Sequence, residues 1–133
     1  MILALVLRLM RWICSAKYGL TISNIFHAGD GNLHPIILFD RYKPGDLERA
    51  KQAGDEILEY CISVGGSITG EHGVGMEKNE MMEHLFPEET LKLIASFKNA
   101  WDPKCRLNPG KLLPLGRGCM EIRQPALTPG NAL

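Results

Sequence analysis

The stretch His27-Ala28-Gly29-Asp30-Gly31-Asn32-Leu33-His34 decides how this chain folds. Gly-Asp-Gly-Asn tolerates positive φ, and Asp and Asn side chains bond their own backbone, so the segment reads as a tight turn. Apolar, largely β-branched residues lead in (Ile22, Ile25, Phe26) and out (Ile36, Ile37, Leu38, Phe39), which predicts strand, turn, strand. Folding back at that turn makes His27 and His34 neighbours at the same end of two strands. Two convergent imidazoles are the beginning of a metal site.

A second segment, Gly65-Gly66-Ser67-Ile68-Thr69-Gly70-Glu71-His72-Gly73-Val74-Gly75, places five glycines in eleven residues. So little side-chain bulk lets backbone approach a ligand closely. Two His and one carboxylate form a recurring open site for zinc or iron, so His27, His34 and Glu71 are the candidate ligands and His72 a spare base beside them. Bland readings compete: a strand His is commonly a packed core residue, and glycine-rich loops are commonly plain connections. Coincidence favours the site, since three of the four histidines and a carboxylate fall in the two most glycine-rich segments. His84, in a helix-like run, reads as surface.

Around these segments the chain has 133 residues, one domain's worth, with 15 basic and 15 acidic side chains. No block of like charge points to a nucleic-acid partner. Cys14, Cys61, Cys105 and Cys119 are irregularly spaced with no C-x-x-C, which fits a reducing cytoplasm rather than a disulfide framework. Residues 1–18 carry an apolar run that Arg8 and Arg11 interrupt too soon for a membrane span. Ile2, Leu5, Leu9 and Ile13 recur at helical spacing and predict an amphipathic helix packed on a sheet, ended by Gly19. An interfacial membrane helix is the minority alternative.

Beyond the hairpin, Pro44-Gly45-Asp46 turns and caps a helix reaching about Val64, with a stripe of Leu47, Ala50, Ile57, Leu58, Cys61 and Val64. Ser67-Ile68-Thr69 reads as a short strand delivering Glu71 and His72. Helices follow over Glu77–Leu85 and Pro87–Trp101, the latter burying Leu91, Ile94, Ala95 and Trp101. Residues 116–133 hold glycine and proline but few large apolar residues, show no periodicity, and read as a disordered tail after a domain at 1–115.

HAGDGNLHP, GGSITGEHGVG and the closing LNPGK, in that order between about Tyr18 and Pro114, resemble the C-terminal lobe of the FAD-linked oxidases of the vanillyl-alcohol-oxidase superfamily. Within it the likeness is to the group of the glycolate oxidase D subunit and the D-lactate and D-2-hydroxyglutarate dehydrogenases. The resemblance implies an α+β fold: a partial ferredoxin-like antiparallel sheet with helices on one face, plus a C-terminal helical segment. It implies a divalent metal, usually zinc, on His27, His34 and Glu71, with His72 as catalytic base. A small 2-hydroxy acid, glycolate first and D-lactate second, would chelate the metal. His72 would take the hydroxyl proton while hydride leaves for FAD, giving the 2-oxo acid.

Asn108, in the LNPGK turn, matches a family position that approaches the flavin, although Asn-Pro-Gly is a good turn anywhere. Asn32 could orient substrate or stabilise its own turn, and Lys78 could meet a substrate carboxylate or be solvated on a helix. The family's FAD-binding domain is missing, so the chain is expected to be a fragment, incomplete at its N-terminus, with an open sheet edge. FAD would then sit mainly on a separate domain or subunit, with other oxidase subunits as further partners. The expected location is cytoplasmic or peripheral at the inner membrane face. The alternatives are a non-catalytic remnant or interaction module, and a stand-alone metal-dependent hydrolase, against which stands the lack of H-E-x-x-H.

Overall fold

Alternation along two short strands sets the architecture. In the computed structural model, which describes residues 2–27 and 29–114 and only the backbone of 2–5, β1 (Thr21–His27) pairs antiparallel with β2 (Asn32–Leu38). The register sets Ile22 against Ile37, Ile25 against His34 and His27 against Asn32. Side chains alternate between faces, so Ile22, Leu33 and Ile37 share one face and Ile25, His27, His34, Ile36 and Leu38 the other. At the tip the His27 carbonyl accepts from the amides of both Asp30 and Gly31, each at 3.1 Å, and Gly31 takes the positive φ of 70°.

Among the described residues, helices cover one face only. α1 (Ile2–Trp12) continues as a wider π turn over Ile13–Lys17 and stops at Gly19, whose φ is 63°. α2 (Asp46–Ser63) follows the hairpin. Val6, Met10, Ile13, Cys14, Leu20, Ala50, Ala53 and Ile57 form a core on which Ile22, Leu33 and Ile37 pack. The buried face of α1 and its π turn thus runs through Val6, Met10, Ile13 and Cys14, with Leu9 at its margin. α2 begins after Gly45 at φ 80°, so Asp46 is its first residue and does not cap it with its own side chain. The buried Asp46 carboxylate pairs with Arg49 and accepts the Asp40 amide. Burial pushes that carboxyl up, but the Asp40 amide, Arg49 and Lys43 reverse this and hold it below the ordinary carboxylate value.

A second core gathers Ile68, Met81, Met82, Leu91 and Leu113, with Leu58 and Ile62 of α2 packed against it. α2 therefore belongs to both cores. α3 (Met82–Leu85) and α4 (Glu88–Trp101) give the second core Met82 and Leu91, and Asp102 closes α4 by accepting the Arg106 and Leu107 amides at 3.0 and 2.7 Å. The fold is α+β, with a two-stranded antiparallel sheet and helices on one side of it. Among the described residues no helix is long and apolar enough to cross a membrane.

Several expectations change. Ser67-Ile68-Thr69 is not a strand: a strand needs a ladder partner, and here the buried Ile68 is anchored by packing, with its carbonyl accepting from Lys78 Nζ at 3.0 Å. The helix expected from Glu77 shrinks to Met82–Leu85, because residues 75–81 fold as successive turns, so Lys78 stands in a turn and not on a helix. Trp101 is 83% exposed rather than core, and Leu47 and Val64 lie outside the α2 stripe. α4 contacts its core through one narrow face, which Leu91, Ile94 and Ala95 fill. The tail expected from Gly116 lies outside the described residues.

Candidate metal centre

The uncovered face of the hairpin meets a glycine loop only at its turn end. His27 and His34 project there as diagonal neighbours across the ladder, ring centroids 5.5 Å apart and edge to face. α2 ends at Gly65 (φ 81°) and Gly66, after which the chain passes Ile68 in the second core and lifts Glu71 and His72 onto that face. Gly66 is tightly constrained, since a Cβ there would sit 2.8 Å from the Cys61 carbonyl oxygen. The loop is braced from within: the Gly73 amide donates to Thr69 Oγ1 at 2.9 Å, and Lys78 Nζ holds the Ile68 carbonyl.

Three imidazoles converge on one carboxylate oxygen. Glu71 Oε1 lies 2.8 Å from His34 Nε2, 3.6 Å from His27 Nε2 and 4.0 Å from His72 Nε2. The candidate ligand atoms of His27, His34 and Glu71 all lie within 4.8 Å of one another. Ligand atoms on a tetrahedral zinc at ~2.0–2.1 Å stand ~3.4 Å apart, so the set fits a divalent ion with small side-chain adjustment. Nitrogen and carboxylate donors suit zinc or iron over calcium or magnesium. His34 is the most enclosed, its side chain 21% exposed, while His27 and Glu71 are about half exposed and His72 is 74% exposed. The centre is therefore open on the His72 side, whose ring stands 5.0 Å from that of His34.

The other anticipated residues fall elsewhere or take different work. Asn32 Nδ2 donates to Glu71 Oε1 at 3.2 Å, a contact across 39 residues that nothing in the local sequence announces. Lys78 is committed to the Ile68 carbonyl and half-buried. Asn108 adopts a left-handed turn at φ 47°, and its segment is tied back to the loop by the Leu112 amide on the Gly75 carbonyl at 2.9 Å. Asn79, buried and overlooked in the sequence, reaches the Gly110 and Leu113 carbonyls at 3.5 and 3.4 Å.

Comparison with known proteins identifies the family. Residues 3–112 match the model of the FAD linked oxidases, C-terminal domain. The match takes in α1, which the motifs alone left outside. Over 108 residues the chain is 49% identical to the glycolate oxidase subunit GlcD of Escherichia coli K12, covering 81% of this chain and 22% of that protein. It is 45% identical to the Bacillus subtilis glycolate oxidase subunit GlcD over 98 residues (74% and 21%). Against a D-lactate dehydrogenase of Archaeoglobus fulgidus it is 38% identical over 99 residues (73% and 21%). The chain spans about a fifth of the length of these curated relatives.

Proposed function

We propose a function from one premise: the chain belongs to the family of FAD-linked oxidase C-terminal domains. Its role is to supply the substrate- and metal-binding side of a flavin-dependent 2-hydroxy acid dehydrogenase. Glycolate is the first candidate substrate and D-lactate the second, the reactions that the relatives' names carry. The observation that supports this most is the convergence of His27, His34 and His72 on Glu71 Oε1 at an open end of the sheet.

His27 Nε2, His34 Nε2 and Glu71 Oε1 would hold the ion. A divalent ion there would supply Lewis-acid polarisation of a 2-hydroxy acid's hydroxyl, and bound FAD would accept the hydride. His72 stands beside the ligands with its ring open to solvent, so its Nε2 can receive the hydroxyl proton as the alcohol becomes a carbonyl group. His34, the most enclosed of the three imidazoles, stands nearest to Glu71 Oε1 at 2.8 Å.

FAD itself is held mainly by a separate flavin-binding region. The uncovered outer strand face supports this, because Ile25, Ile36 and Leu38 extend from the metal centre as apolar surface of the kind an adjoining domain covers. Asn108 remains the residue of this chain proposed to approach the flavin.

The test combines purified chain with the flavin-binding portion of the Escherichia coli relative and follows dye reduction. Glycolate-dependent reduction that needs both parts, needs zinc and fails with His72→Ala is the expected result. A demonstrated complex with flavin and zinc bound, yet inert toward glycolate and D-lactate, would overturn the proposal.

A further inference from the structure

We propose that Asn32 is a positioning residue for the metal ligand Glu71, and that residue 70 is glycine because the Asn32 amide occupies the space a side chain would need. This rests on the metal-centre reading above and assigns Asn32 a place in it other than turn former or substrate contact.

The turn does not depend on the Asn32 side chain. Its positive φ falls on Gly31, its carbonyl acceptor is His27, and Asn32 is already the first residue of β2, paired with His27. The amide is directed instead at Glu71, Nδ2 to Oε1 at 3.2 Å, the same oxygen that faces His34 and His27. Glu71 is about half exposed and has three rotatable bonds, so without a donor its carboxylate can swing toward water. An aspartate could not supply this donor, since an ionised carboxylate only accepts.

Gly70 shows how closely the amide is seated. A Cβ there would lie 2.3 Å from Asn32 Oδ1, 2.6 Å from Cγ and 3.0 Å from Nδ2. Gly70 does not have a positive φ, so its backbone would accept alanine, and the three nearest atoms a Cβ would meet all belong to the Asn32 amide. Making room for a Cβ moves that amide, and its 3.2 Å bond to Glu71 is what the movement disturbs. Glycine at 70 and asparagine at 32 are thus two halves of one arrangement, joined through the ligand.

The test is zinc affinity of the full chain, measured by competition with a chromogenic chelator, for wild type, Asn32→Ala, Gly70→Ala, the double variant and Glu71→Ala. Removing a group that orients a ligand weakens metal binding roughly 10–100-fold, and Asn32→Ala is expected in that range. Metal-free melting should stay close to wild type, which separates positioning from general support. Gly70→Ala should weaken zinc comparably in the wild-type background and add nothing to Asn32→Ala. Zinc binding that Glu71→Ala abolishes but Asn32→Ala leaves unchanged would overturn this inference alone. So would fully multiplicative effects of the two single changes. A wild type that binds zinc no better than Glu71→Ala would overturn the metal-centre reading and this inference with it.

Discussion

His34 Nε2 and Glu71 Oε1 stand 2.8 Å apart although 37 positions separate them in the chain (71 − 34), the shortest of the three imidazole approaches to that oxygen. As a pair in water, partly exposed, they add at most about 1 kcal/mol to stability. Their value lies in where they set two donor atoms. His34→Ala should therefore weaken zinc binding by more than the ~10–100-fold of a supporting contact while shifting the metal-free melting temperature little. Isothermal titration with zinc checks this, with His27→Ala as a second ligand variant and stripped protein as the baseline.

Two glycines should respond oppositely to alanine. Gly54 lies inside α2 with open space within 4 Å of where a Cβ would stand, so Gly54→Ala should stabilise by about 0.5–1 kcal/mol. Gly66→Ala would drive its Cβ against the Cys61 carbonyl backbone and should destabilise, also disturbing the loop that carries Glu71. Urea denaturation of both variants gives the signs directly.

The hairpin and its histidines were legible because turn chemistry is local: Gly-Asp-Gly-Asn can do little else between two apolar runs. The carboxylate and third imidazole were legible for a similar reason, set in a loop almost free of other functional groups. Burial was less so. Periodicity located α1 and α4 but cannot tell which apolar flank meets a neighbour, so Val6 and Met10 were missed and Trp101 misplaced. Ile68 sat in an apolar triplet that read as a strand, yet packing rather than pairing buries it. The bond from Asn32 to Glu71 depends on a tertiary approach that no spacing rule encodes.

Acid should release one helix end before the hydrophobic cores fail. The Asp102 carboxyl is held below the ordinary 3.8 by the Arg106 amide, then the Leu107 amide. A depressed carboxyl contributes stability above its unfolded value and loses it as pH falls through the folded one. The stability gap between wild type and Asp102→Ala should thus be full near neutrality and shrink below about pH 4, read from denaturant midpoints across that range.

Core truncations should be costly in both clusters. Met10 and Leu91 are each 2% exposed and sit in different clusters. Met10→Ala and Leu91→Ala should each cost about 2–5 kcal/mol in equilibrium unfolding. A marginal domain of this size has little more than that to lose.

The outer strand face should govern self-association. Ile25, Ile36 and Leu38 are 59%, 41% and 53% exposed beside unpaired strand edges. Replacing Ile36 and Leu38 together by threonine should reduce light scattering of the isolated chain with little change in melting temperature.

The division of the interior into two clusters has a mechanical consequence for the imidazoles and the carboxylate. His27 and His34 ride on strands anchored in one cluster, whereas Glu71 rides on a loop rooted in the other, and α2 is the one long helix threading both. An ion gripped by all three would add a second tie between the clusters besides α2, so that neither could open without giving up ligation. Ligation energy would then appear as folding energy, and a chelator would soften the whole molecule rather than merely empty a socket.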